Sequence, residues 1–263
     1  SLILELDSNH NLLDTFEQDL AILYIRKKEY FKAEGILTSV VNNYKEKFGE
    51  VNDRLVYPYT TLVEVFREIK KYDLSLEYAQ KSILCNLKEL PIKGQLKNYP
   101  DVRLIVNRFQ YFESLVEKSK TLEEIYFQNK FLENFNDLNN CYKELAELIY
   151  PMRSDFLSKI DNKKFQSRID DVYAHAIQVN FDYYLNNHNV DYLNNCFYFS
   201  ESNKSNVLYE TIKLTEARKW SGIPQNILDF ESDVKSNISY TKSQLVGERQ
   251  KKLEEKDSVK ITY

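Results

Sequence analysis

An all-α chain is the fold class this sequence predicts: a series of stacked helical hairpins ending in one long helix. Three observations point to it. Glycine and proline number five each in 263 residues, well below the ordinary usage of about 7% and 5%, so tight turns are few. Apolar residues recur at three- and four-residue spacing over long segments, the period of an α-helix with one buried face. An internal repeat is also present, with matching positions 42 residues apart: Leu20 with Leu62, Tyr24 with Phe66, Tyr30 with Tyr72 and Ala33 with Ser75.

In the first copy, Glu17 to Tyr44, an apolar i, i+4 stripe leads to a polar turn at Lys27-Lys28-Glu29 and then to a second apolar helix. The second copy, Tyr59 to Leu87, has its polar turn at Lys70-Lys71. Each copy is therefore read as a helix-turn-helix hairpin, and the two together fill residues 1–90. The small residues Ala21, Ala33 and Ser75 mark places where helix axes can approach to about 8 Å, because no bulky side chain holds them apart. Two of the five prolines and one glycine fall in the polar stretch after Leu87, so 91–101 is expected to be a loop or mobile insertion.

A long helix is expected from Val102 to Phe131, with apolar positions at Phe109, Phe112, Val116, Leu122 and Ile125. Further on, Asp137-Leu-Asn-Asn-Cys141 and Tyr192-Leu-Asn-Asn-Cys196 align. They predict two more hairpins with elongated helices over 102–222, and both cysteines are read as occupying the small crossing position filled by Ala33. From Pro224, which suits the first turn of a helix, apolar residues at Ile227, Phe230, Val234, Ile238, Thr241 and Leu245 form a narrow seam. A long C-terminal helix over 223–263 follows, expected to continue past Tyr263. Ser1 in place of a methionine similarly suggests a chain trimmed at its start.

The balance of 43% hydrophobic and 29% charged residues, with a mean hydropathy of −0.54, is that of a soluble protein. No apolar run is long enough to span a bilayer, and residues 1–7 lack the basic start of a secretory signal. A net charge of −4 with Lys and Glu interleaved leaves no basic stripe to track phosphates, so nucleic acid is not expected as a direct partner. The three cysteines, Cys85, Cys141 and Cys196, are widely spaced with neither CxxC nor a paired histidine pattern, which favours a reducing cytoplasm and excludes the usual zinc frameworks. No cofactor or metal is expected.

Histidine is equally scarce, at His10, His175 and His188. None precedes a glycine; His175 falls inside a helical pattern, while His10 and His188 stand among asparagines as loop positions. With no βαβ alternation to carry a thiolate and an imidazole to one site, no catalytic residue is expected. The expected activity is recognition of a protein or peptide. Polar residues between the aromatics, Asn42, Asn43, Thr60 and Glu64, are the candidates to hold a peptide by side-chain hydrogen bonds.

The hairpins resemble the tetratricopeptide repeat (TPR) family. Leu20, Ala21, Tyr24, Tyr30 and Ala33 stand at its signature places, and Leu62, Phe66, Tyr72 and Ser75 repeat them, with Val63 in place of the first small residue. The resemblance implies a right-handed superhelix of hairpins with elongated helices, similar to those of kinesin light chain. From Leu138 to about Lys251 the order of features resembles the region upstream of the peptidase in CHAT proteins, the caspase-like family associated with such repeats. The segments carrying it are DLNNCYKELAELI, SRIDDVYAHAIQVNFDYYL, and DYLNNCFYFSESNKSNVLYETI with Glu201, Lys204 and Leu208 at marked positions, followed by the helix opening near Pro224. This resemblance implies a bacterial multidomain protein in which the array regulates a cysteine peptidase domain that lies downstream and is missing here. The alternative is a stand-alone TPR adaptor with no linked enzyme.

Overall fold

The computed structural model describes residues 15–89, 102–156 and 162–204, together with a few positions between 224 and 241. The expected insertion at 91–101, and His10, Leu208, Ile238 and Leu245, lie outside the described residues. Two compact units divide the chain, Ser1–Val207 and Leu208–Tyr263.

Among the described residues of the first unit, eight α-helices follow one another: α1 (15–26), α2 (Tyr30–Phe48), α3 (Val56–Glu68), α4 (Tyr72–Cys85), α5 (Arg108–Asn129), α6 (Leu132–Phe156), α7 (Asn162–Asn187) and α8 (190–204). Short 3₁₀ turns at Asp53–Leu55 and Val102–Leu104 precede α3 and α5. Among the described residues no strand forms beyond a single antiparallel bridge between Leu87 and Ile105. Sequential helices pair as hairpins, α1 with α2 through to α7 with α8.

The turns show why these sequences fold back. Lys28 and Lys70, 42 residues apart, both adopt a left-handed φ of 61°. The residue after each reaches back to cap the preceding helix: Glu29 N–H donates to Tyr24 O at 2.9 Å, and Lys71 N–H to Phe66 O at 2.8 Å. This is the Schellman closure, which satisfies carbonyls the helix end would otherwise leave unpaired. Lys130 (φ 53°) and His188 (φ 56°) end α5 and α7 by a simpler bond to the carbonyl four residues back, each 2.7 Å. The repeat read in the side chains is thus also a repeat of backbone geometry.

Burial follows the same register. Ala21 and Val63, and Ala33 and Ser75, are all fully buried where the paired helices cross, while Leu62 and Phe66 are buried and their counterparts Leu20 and Tyr24 are half-buried. Tyr30 and Tyr72, which open α2 and α4, tie each turn to the next hairpin: Tyr30 Oη donates to Glu68 at 3.1 Å and Tyr72 Oη to Glu124 at 3.1 Å. At the third turn Lys130 Nζ and Tyr126 Oη both donate to Asp182 on α7, at 2.9 and 2.7 Å.

The helix expected from Val102 starts six residues later, at Arg108. Ile105 is held by its bridge to Leu87, and Asn107 caps the helix by accepting from the N–H groups of Phe109 and Gln110 at 3.0 and 3.1 Å. Two apolar cores result. One joins α1, α2, α3 and Cys85 of α4; the other gathers Ile83 of α4 with α5, α6, α7 and Phe199 of α8. Between them runs a buried ladder of hydroxyls: Thr60, Ser82 and Ser114 lie 2.7–3.0 Å apart, and Ser75 bonds Thr121 at 2.8 Å. Small side chains there let α3, α4 and α5 pack closely, and every hydroxyl in the ladder finds a partner.

Cys141 and Cys196 behave as small packed groups. Cys141 is fully buried with its thiol toward Leu115 O at 3.6 Å, and Cys196 points its thiol to Ile177 O at 3.5 Å. Their register differs from the one read in the sequence. Counted from the left-handed turn residue, Cys141 lies about three helical turns along its helix and Cys196 about two. Ser82, also about three turns past its left-handed residue though not in the same register as Cys141, likewise donates to a first-helix carbonyl, Val56 O, at 3.0 Å. In the second unit Pro224 precedes helical residues and its carbonyl accepts from Ile227 N–H at 3.0 Å. Ile227, Phe230 and Val234 of the expected seam are exposed.

Candidate interaction groove

The first helices of the four hairpins share one surface. Helices α3 and α5 pack side by side, and α5 is joined to α7 by an ion pair of Glu113 with Arg168 and a hydrogen bond between Glu123 and His175 at 3.0 Å. An open groove of about 360 Å³ lies along this surface. Its apolar wall is Ile22 of α1, Tyr57 of α3 and Phe109 of α5; Tyr57 and Phe109 remain 41% and 40% exposed, large aromatic area left facing water. Its polar floor is Glu64, Glu113, Glu117 and Arg168.

The floor is electrostatically lopsided. Arg168 is engaged by Glu113. Glu117 is held by Arg67 of α3 at 3.3 Å and by Lys120 at 2.6 Å, with Arg67 also bonding Glu124 and Glu68 at 3.2 Å. Glu64 makes no hydrogen bond or ion pair among the described residues. Partial burial raises its pKa, and the charge of Glu117 raises it further against the pull of Arg67 and Lys120. Burial likewise raises Glu113, with Arg168 opposing.

Of the four residues picked from the sequence, the structure brings Thr60 and Glu64 together on this groove. Thr60 turns its hydroxyl inward, to Val56 O and to Ser82 and Ser114, so it holds helices together and offers no free donor. Asn42 and Asn43 stand on α2, the second helix of its hairpin, and do not line the groove. Tyr57, Glu113, Glu117 and Arg168 went unread in the sequence, and Phe109 was read only as an apolar helix position. A signal for some of them existed: Glu113, Glu117 and Glu124 recur at helical spacing on one face of α5, as do Tyr57, Thr60, Thr61 and Glu64 on α3.

A second depression, of about 300 Å³, lies between α5 and α7 around Lys120, Glu123, Asp171 and His175. Glu123 there also accepts from the buried Tyr142 hydroxyl at 3.1 Å, which fixes the carboxylate that pairs with His175. Among the described residues no group of His, Cys, Asp and Glu could hold a metal ion, and no helix is long and apolar enough to cross a membrane. Burial pushes the thiols of Cys85 and Cys196 above the ordinary range, away from the thiolate a nucleophile needs. Compared with known proteins, the chain is matched by no family model and by no curated protein.

Proposed function

We propose that this chain is a noncatalytic scaffold of the TPR kind, whose hairpins stack into a right-handed superhelix and receive a segment of another protein in the groove made by their first helices. Successive hairpins are tied at Tyr30–Glu68, Tyr72–Glu124 and Lys130–Asp182, and small rotations at these ties add along the array and change its curvature. Such a change would pass to a CHAT-type cysteine peptidase downstream in the same polypeptide. The observation that carries the reading is the groove itself, where the exposed rings of Tyr57 and Phe109 flank an acidic floor on the shared face of four hairpins. The raised thiols of Cys85 and Cys196 support a role in recognition over one in thiolate chemistry.

The test is capture from a lysate of the source organism on the immobilised chain, run beside a Tyr57→Ala/Phe109→Ala variant that trims the groove wall at two solvent-facing positions. Proteins kept by the wild type and lost by the variant support groove recognition; equal retention, or none, refutes it. Reading the parent gene past Tyr263 tests the link to an enzyme. A strand-rich segment with His-Gly and a later Cys is expected, and a stop codon would leave a stand-alone adaptor.

A further inference from the structure

The acid groups of the groove and the cations near them do not balance. Among the described residues three carboxylates, Glu64, Glu113 and Glu117, face it with Arg168 as the one lining cation, and Arg168 is occupied by Glu113. Arg67 and Lys120 neutralise Glu117 from its edge. What is left over is Glu64, half-buried and without a bonding partner among the described residues, with the open aromatic faces of Tyr57 and Phe109 in the same cavity. A carboxylate partly withdrawn from water, with no bonded partner among the described residues, is a cost of folding that a bound cation recovers. Aromatic rings beside it suit the methylene stem of a long basic side chain as well as an apolar neighbour.

We infer that the segment recognised in this groove is a peptide presenting a lysine or arginine to Glu64, with an adjacent aliphatic or aromatic side chain against Tyr57 and Phe109. The inference rests on the groove being the recognition surface proposed above, and it names the partner's chemistry. An acidic peptide is disfavoured, since it would meet Glu64 and Glu117 with like charge. Because the incoming cation binds the charged form of Glu64, affinity falls on acidification, and it does so at higher pH than an ordinary exposed carboxylate would dictate.

The experiment is selection of a phage-displayed library of randomised heptapeptides on the intact chain, with the consensus peptide synthesised and its binding followed by fluorescence anisotropy. Enrichment of Lys or Arg beside an apolar residue is expected. Glu64→Gln, a change on a helix surface where the carboxylate has no partner to lose, should weaken that peptide by about tenfold or more, and added salt should weaken it too. Enriched peptides without a basic residue, still lost on Tyr57→Ala, would overturn the charge inference while leaving the groove as the recognition surface. No enrichment, or binding indifferent to both Tyr57→Ala and Glu64→Gln, would bring down both.

Discussion

Replacing Glu144 with glutamine should remove a pH dependence that this protein builds into its core. Glu144 on α6 is 8% exposed. One carboxyl oxygen accepts from the Tyr111 hydroxyl on α5, and the other is buried with no hydrogen-bond partner. Burial raises its pKa from 4.5 to about 8, and the opposing effects of Tyr111 and Lys118 do not offset that rise, to which Glu147 adds. At neutral pH the folded protein therefore holds a proton that the unfolded chain releases. The sign follows: the contribution of this group to stability is fully present below about pH 4.5 and is lost as pH rises through about 8. Each pH unit well inside that window is worth about 1.4 kcal/mol per proton and less near its ends, so the loss between pH 5 and pH 8 comes to about 3–4 kcal/mol. Glutamine keeps a neutral acceptor for Tyr111 and cannot titrate. Urea unfolding followed by circular dichroism, for both proteins at a series of pH values, isolates the effect, because every other carboxylate titrates alike in the two. The wild type should lose stability relative to the variant across this window. Parallel stability curves between pH 5 and pH 8 would refute the reasoning.

Two further predictions concern the hairpins. Ala33→Leu forces a branched side chain into a fully buried helix crossing and should lower stability by about 1–3 kcal/mol, seen as a lower calorimetric Tm; an unchanged Tm would mean the crossing can open. Lys70→Gly relieves a left-handed residue with φ 61° and should raise the urea midpoint by about 0.5–1 kcal/mol in stability. A loss instead would mean that the lysine side chain contributes more than its backbone costs.

The sequence by itself determined the all-helical class, the positions of the hairpin turns and the pairing of positions 42 residues apart. These are short-range properties: a helix buries residues at its own 3.6-residue period, and a turn closes through bonds spanning five residues or fewer. That is why Ala33, Ser75, Tyr30 and Tyr72 could be picked out with nothing but their neighbours in view. The start of α5 was misread because what stops a helix at Ile105 is a bridge to Leu87, across a segment whose sequence carries no partner signal. Thr60 shows the same limit from the other side. Its place on the first-helix face was legible, but the direction of its hydroxyl was decided by Ser82 and Ser114, 22 and 54 residues away. Only the tertiary structure decided which charges meet. Arg67 finds Glu117 and Glu124 some 50 residues on, Arg168 finds Glu113, and Glu64 bonds none of the described residues. Periodicity tells each helix which face to bury, whereas the identity of the groups across the crossing depends on how separate helices pack, and a single chain read in order does not encode that as a local pattern.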